Sequence, residues 1–333
     1  MSGQLNRRRG AVVGICLSLV FGFLPARTVY AIEGGESALG ENIVTLINIS
    51  DNGILVGQQC SGAVIAPRLV VTAKHCFDQN NHLHTGLANL NWLITFPGSK
   101  IEVPFAGAAK ILQIITTQGD FVANTDDLSI AIIDREMPII KEVEIASRED
   151  LERFRLTRPV AITYGYGTSA DSPAMSSTPK KITNVFVQNR GNPSEVFTVE
   201  YLSSSSYMCG GDSGGPTFVV ENNKYFYVGP TSSGSREGCA RGLIGTFVLN
   251  GTALAYRAEL LETAKQAVLE LQQLEELKKI EDTEKAAKAK ADAENAAKQQ
   301  LLKKKKVVIC VRGANQKRVV GVNAKCPVGY KKK

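Results

Sequence analysis

The sequence predicts an all-β body, then one long α-helix, then a small cysteine-stapled β-hairpin. Three observations carry this. Up to about residue 258, short aliphatic and β-branched runs alternate with Gly, Pro, Asn and Ser turns. Residues 258–306 contain no Gly and no Pro and are dominated by the strong helix formers Ala, Glu, Lys, Leu and Gln. Two further runs, Val307 to Val311 and Lys317 to Val322, then flank Gly313-Ala314-Asn315, with Cys310 and Cys326 placed to staple them.

With 333 residues there is enough chain for one large domain or two smaller ones. The net charge of +7 hides an asymmetry. Residues 303–333 carry eleven Lys/Arg and no acid, and residues 1–31 carry four Arg and no acid. Residues 32–302 are left with 24 basic against 32 acidic side chains, a net charge of −8. The first 31 residues read as a secretory signal. Arg7, Arg8 and Arg9 are its positive start, and Ala11 to Leu24 is an apolar run too short to span a bilayer. Val29-Tyr30-Ala31 fits the small-x-small cleavage pattern. The expected organisation is a leader over 1–31, a body over 32–258, a helical linker over 259–306 and a basic module over 307–333, all of it secreted.

Export favours disulfides. Of seven cysteines Cys16 leaves with the leader, and the six that remain allow fifteen pairings. Pairing nearest neighbours gives three local loops. No CxxC or His/Cys spacing suggests zinc, so no metal and no cofactor is expected. His82 and His84, in a polar Asn/His/Thr stretch, read as a solvated loop rather than a metal pair.

In chain order, Ile43 to Ile49 reads as a strand. Cys60 to Cys76 reads as two β-rich runs about Pro67, the second ending on His75. A staple from Cys60 to Cys76 would add about 3 kcal/mol by the chain-entropy model and would fix the imidazole. Asp127 heads an apolar strand in which Leu128, Ile130 and Ile132 share a face. The adjacent Asp126 could be mistaken for it. Lys181 to Val187, Val196 to Tyr201 and Tyr225 to Val228 read as further strands. Gly211-Asp212-Ser213-Gly214-Gly215-Pro216 is a glycine-flanked serine, four residues after Cys209.

Thr72-Ala73-Lys74-His75-Cys76 together with Gly211-Asp212-Ser213-Gly214-Gly215-Pro216 resembles the trypsin/chymotrypsin family of serine proteases. The resemblance covers residues 32 to about 258, with Lys74 where alanine is usual. It implies a chymotrypsin-like double six-stranded antiparallel β-barrel. By resemblance, His75, Asp127 and Ser213 form a catalytic triad and the backbone N–H groups of Gly211 and Ser213 form the oxyanion hole. Taking Asp126 instead of Asp127 would put a second acid where the family has an apolar residue. Ile32, once it is an N-terminus, would pair with Asp212. Tyr207, Ser232, Gly234 and Gly245 would line the substrate pocket, Tyr207 as a floor that disfavours Arg and Lys. The resemblance also pairs Cys60 with Cys76 and Cys209 with Cys239; the tail hairpin adds Cys310 with Cys326. Tyr164-Gly165-Tyr166-Gly167 resembles the family's Gly-Trp-Gly turn.

The implied function is a secreted serine endopeptidase acting on protein or peptide substrates. No Arg or Lys precedes Ile32, so the expected leader cleavage and the family's activating N-terminus coincide. A catalytically silent relative used as a binding module is the alternative, but such relatives usually lack His, Asp or Ser, and all three have matches here. In the long helix, Leu260, Ala264, Ala267, Leu271 and Leu274 form a stripe that can pack on the body; the heptad then fails at Lys278 and Glu281, which weakens a coiled-coil reading. The basic tail suits an anionic cell-envelope polymer or lipid near the cell surface; nucleic acid is not expected of an exported chain.

Overall fold

The structure is a computed structural model that describes residues 32–49, 55–77, 92–102, 105, 107–116, 126–168, 176–188, 196–202, 206–234 and 248–333. The expected leader, His82, His84, Cys239 and Gly245 lie outside the described residues.

A short strand β1 (Glu36–Ser37) precedes six strands that close on themselves. They are β2 (Ile43–Ile49), β3 (Leu55–Ala66), β4 (Leu69–Thr72), β5 (Trp92–Ile94), β6 (Ala109–Thr116) and β7 (Ser129–Ile133). Around the barrel they run β2-β3-β4-β7-β6-β5, every pair antiparallel. Closure leaves no strand edge for another chain to pair with. The interior is filled by Val44, Leu46, Val64, Val70, Trp92, Ile94, Ala131 and Ile133.

A connecting stretch holds β8 (Glu144–Ile145) and helix α1 (Arg148–Thr157), which no sequence pattern above anticipates. Its signal was present, in Ser147-x-x-Asp150. The Ser147 hydroxyl accepts from the Asp150 N–H while the Asp150 carboxylate accepts from the Ser147 N–H, a reciprocal cap. The helix buries Phe154 edge-on against Phe186 and Phe226.

The second half brings β9 (Val160–Gly165), β10 (Lys180–Gln188), β11 (Val196–Tyr201), β12 (Pro216–Glu221), β13 (Lys224–Gly234) and β14 (Val248–Thr252). Their pairings close a second antiparallel ring, β9-β10-β11-β14-β13-β12 and back to β9. β1 adds outside β10, and β8 lies along β13. The double barrel expected from the family resemblance is therefore present. A shared apolar cluster joins the halves, with Leu69, Val71 and Leu128 from the first meeting Tyr164, Phe218 and Tyr227 from the second.

Helix α2 (Ala258–Lys303) is one uninterrupted element of 46 residues. Its contact stripe differs from the expected one. Leu261 and Ala264 are buried, with Leu260, Ala267, Val268 and Leu271 packed beside them, while Leu274 is 62% exposed. The apolar contact ends there, and one residue on, Glu275 reaches Arg68 in a two-pronged ion pair. From Gln272 through Lys306 every residue is exposed. Ala-rich turns and ion pairs such as Glu281–Lys285 hold this stretch helical. The tail is a three-stranded sheet: β15 (Lys306–Arg312), β16 (Asn315–Gly321) and β17 (Lys331–Lys332), ordered β16-β15-β17 and stapled by Cys310–Cys326.

Candidate active site

β4 delivers its last residue, Thr72, to a single turn of 3-10 helix over Lys74–Cys76. Two ties fix that turn. Cys76 is bonded to Cys60 on β3, and the Thr72 hydroxyl donates to the Ser61 carbonyl at 2.7 Å. His75 therefore stands at a fixed point on the barrel rim. Lys74 beside it is almost wholly buried.

Asp127 sits just ahead of β7, which pairs with β4, so the sheet register brings it to His75. Its carboxylate takes the His75 backbone N–H on Oδ1 at 2.9 Å and lies 2.6 Å from His75 Nδ1 through Oδ2. A carboxylate beside Nδ1 keeps the proton on that nitrogen, so the lone pair a base needs is on Nε2. Asp127 is completely buried. A third donor offsets the cost of burying it: the Ser232 hydroxyl, 2.6 Å from Oδ2. The Asp127 N–H in turn donates to the Thr252 hydroxyl at 2.9 Å. Asp126 turns elsewhere and pairs with Arg257, just before α2, at 2.8 Å. The carboxylate against the imidazole thus belongs to Asp127.

The Ser213 loop is seated on the same strands. The Ser61 N–H donates to the Ser213 carbonyl at 2.8 Å, and the Ser61 hydroxyl to the Gly211 carbonyl at 3.0 Å. The Ser213 carbonyl lies 3.9 Å from Cys76 Sγ, next to His75 in the chain. Gly214 has a positive φ of 77°, and a β-carbon there would collide with the Thr72 hydroxyl and the Ser61 carbonyl. The N–H groups of Asp212, Gly214 and Gly215 are spent on Cys209, Thr231 and Asp212 carbonyls. Those of Gly211 and Ser213 donate to nothing among the described residues. A direct His75–Ser213 hydrogen bond is likewise not formed among them.

Asp212 points the other way, into the second barrel, and is completely buried. Its oxygens accept from the Gly167 N–H at 2.6 Å and the Cys209 N–H at 2.7 Å. Burial outweighs these two bonds and pushes the carboxyl up to about 7. Gly165 and Gly167 make room, since a β-carbon on either would run into the Asp212 carboxylate. Ile32 is fully buried in the second barrel's core, and Glu33 next to it exchanges two backbone bonds with Tyr207.

Of the residues read as a substrate pocket, Tyr207 is buried and Gly234 is exposed at the end of β13. Ser232 is nearby, but its hydroxyl is committed to Asp127, a role the sequence reading did not give it. Arg257 and Thr252 also went unnoticed, because their partners lie more than a hundred residues away in the chain. Cys209 is disulfide-bonded, and its expected partner Cys239 is outside the described residues. Cys60, His75 and Cys76 cluster within 4.8 Å, but the two sulfurs are bonded to each other and offer no thiolate to a metal.

The chain matches the profile of the family described as Trypsin over residues 32–252. It is 27% identical over 210 residues to a "Trypsin" of Simulium vittatum, an overlap covering 56% of this chain and 78% of that one. It is 24% identical over 257 residues to a "Trypsin-like protease" of Streptomyces glaucescens, covering 72% and 87% respectively.

Proposed function

Because this chain belongs to the trypsin family, and so is a serine protease, we propose that it is a secreted endopeptidase working through Ser213, His75 and Asp127. The carrying observation is the 2.6 Å contact between His75 Nδ1 and the buried Asp127 carboxylate. A serine hydroxyl attacks well only when a base removes its proton. His75 takes that proton at Nε2 as Ser213 adds to the peptide carbonyl, and Asp127 stabilises the imidazolium. The unused N–H groups of Gly211 and Ser213 receive the oxyanion. The imidazolium then protonates the leaving amine, and water hydrolyses the acyl-enzyme by the same route in reverse.

Asp212, buried without a cation among the described residues, awaits one. The α-ammonium of Ile32, freed by cleavage after Ala31, supplies it and orders the Ser213 loop. Leader removal is then itself the activating cut. N-terminal sequencing of the secreted protein finds Ile32 first; a start at Arg27 or Thr28 refutes this. The pocket, floored by Tyr207 and without an acid there, takes small or medium uncharged side chains. Strict Arg/Lys cleavage of a peptide library refutes that. Residues 303–333 hold the enzyme near an anionic cell surface by charge.

A fluorophosphonate probe tests the central claim. The active protein is labelled on Ser213, and Ser213→Ala and His75→Ala are not. A folded, Ile32-started protein that resists labelling overturns the assignment.

A further inference from the structure

The tail sheet has two unlike faces. Side chains directly opposite each other on paired strands share a face, and neighbours along a strand alternate. Val308 and Cys310 are buried on the inner face. The outer face of β15 therefore carries Val307, Ile309 and Val311. Register places Val320 opposite Val307 and Arg318 opposite Ile309. On the other side Lys331 stands opposite Val311, and the Lys333 N–H donates to the Ile309 carbonyl. One face thus presents four aliphatic side chains between Arg318 on one flank and Lys331 and Lys333 on the other. Val307, Ile309 and Val320 are 49%, 43% and 55% exposed. The whole segment 303–333 has no acidic residue to offset its eleven cations.

We propose that this outer face docks on a bilayer bearing anionic lipid headgroups, its aliphatic row entering the interface while Arg318, Lys331 and Lys333 meet the phosphates. A soluble polyanion would neutralise the cations but leave Val307, Ile309 and Val320 in water; a lipid surface takes up both. Helix α2 completes the device. It is pinned to the first barrel through Glu275 and then runs bare to Lys303, about 40 Å at 1.5 Å per residue. That length keeps a body whose residues 32–258 carry a net charge of −5 away from a surface of the same sign. The proposal rests on the surface-held reading of the tail and not on the catalytic one.

The test is co-sedimentation of the full-length protein with phosphatidylcholine vesicles, with and without phosphatidylglycerol. The parent binds only the anionic vesicles, less as salt rises. The variant V307S/I309S/V320S, its charge unchanged, binds about tenfold more weakly. R318Q/K331Q/K333Q, its aliphatic row unchanged, also weakens and loses much of the salt dependence. Hydrolysis of a small ester substrate is unchanged in both, which separates failure of docking from failure of catalysis. Serine-variant binding equal to the parent's, with the Cys310–Cys326 bridge intact by thiol titration, overturns the proposal. Binding to dextran sulfate but not to vesicles also overturns it and assigns the face to a polymer. Unchanged binding of the glutamine variant, whose aliphatic row needs no refolding control, overturns it independently.

Discussion

An aspartate ionises near 3.8 in an open chain, and burial moves Asp212 to about 7. Between those values the unfolded chain carries the charge and the folded one does not. Stability conferred by the neutral carboxyl is therefore full below about pH 4 and is lost as the pH rises towards 7. That holds while the chain continues in front of Ile32. A melting experiment on the uncleaved protein should give a higher Tm at pH 5 than at pH 8. The same chain beginning at Ile32, or the uncleaved chain carrying Asp212→Asn, should lose most of that difference. Ser232→Ala removes one donor from the Asp127 carboxylate. It should lower kcat about tenfold, the loss of about 1.4 kcal/mol, and leave KM nearly unchanged in ester hydrolysis. Asp212, Ser213 and His75 could be found in the sequence because short glycine and cysteine spacings surround them. Ser232 could not be given its role, since its partner lies 105 residues earlier and only the second barrel's closure brings β13 back to it.

Helix α2 is more than a spacer over its first turns. Arg257 holds Asp126, the neighbour of Asp127, while Leu261 and Ala264 lie against Leu128, Ile130 and Ile132. Leu261→Ala should cost about 2–3 kcal/mol in urea unfolding, since it empties a site walled by both barrels. Arg257→Ala leaves a partly buried carboxylate beside Asp127. It should lower both Tm and kcat, and adding Asp126→Asn should restore part of each. Composition alone disclosed that a helix begins near residue 258, because 46 residues without Gly or Pro admit little else. It did not disclose where contact ends. The aliphatic stripe continues to Leu274 in sequence, but Leu274 is exposed and the contact has passed to the Glu275–Arg68 ion pair. Helix α1 was hidden for the opposite reason: ten residues with two buried positions give too weak a period, and only its cap marks it.

At the scale of the molecule, the proposed catalysis and the proposed attachment are separated along the chain. A protein ending at Lys303 should hydrolyse an ester substrate at the parent's rate and melt at the parent's temperature, because β15 to β17 bond to one another and not to the barrels among the described residues. The charge division between body and tail was evident from residue counts alone. Which face of the hairpin points outward was not, because alternation offers two faces and only the burial of Cys310 chooses between them.

The bare stretch of α2 has one more implication. The cleft of an endopeptidase, the activity proposed for this chain, accepts its victim stretched out, with amide groups free to bond to the enzyme, whereas a helix has already committed those groups to itself. The enzyme can therefore carry an unguarded strap of some thirty residues without cutting it, provided the coil stays wound. A proline at Ala287 should turn that strap into a self-cleavage site and set the barrels adrift, seen as a shortened band that Ser213→Ala abolishes.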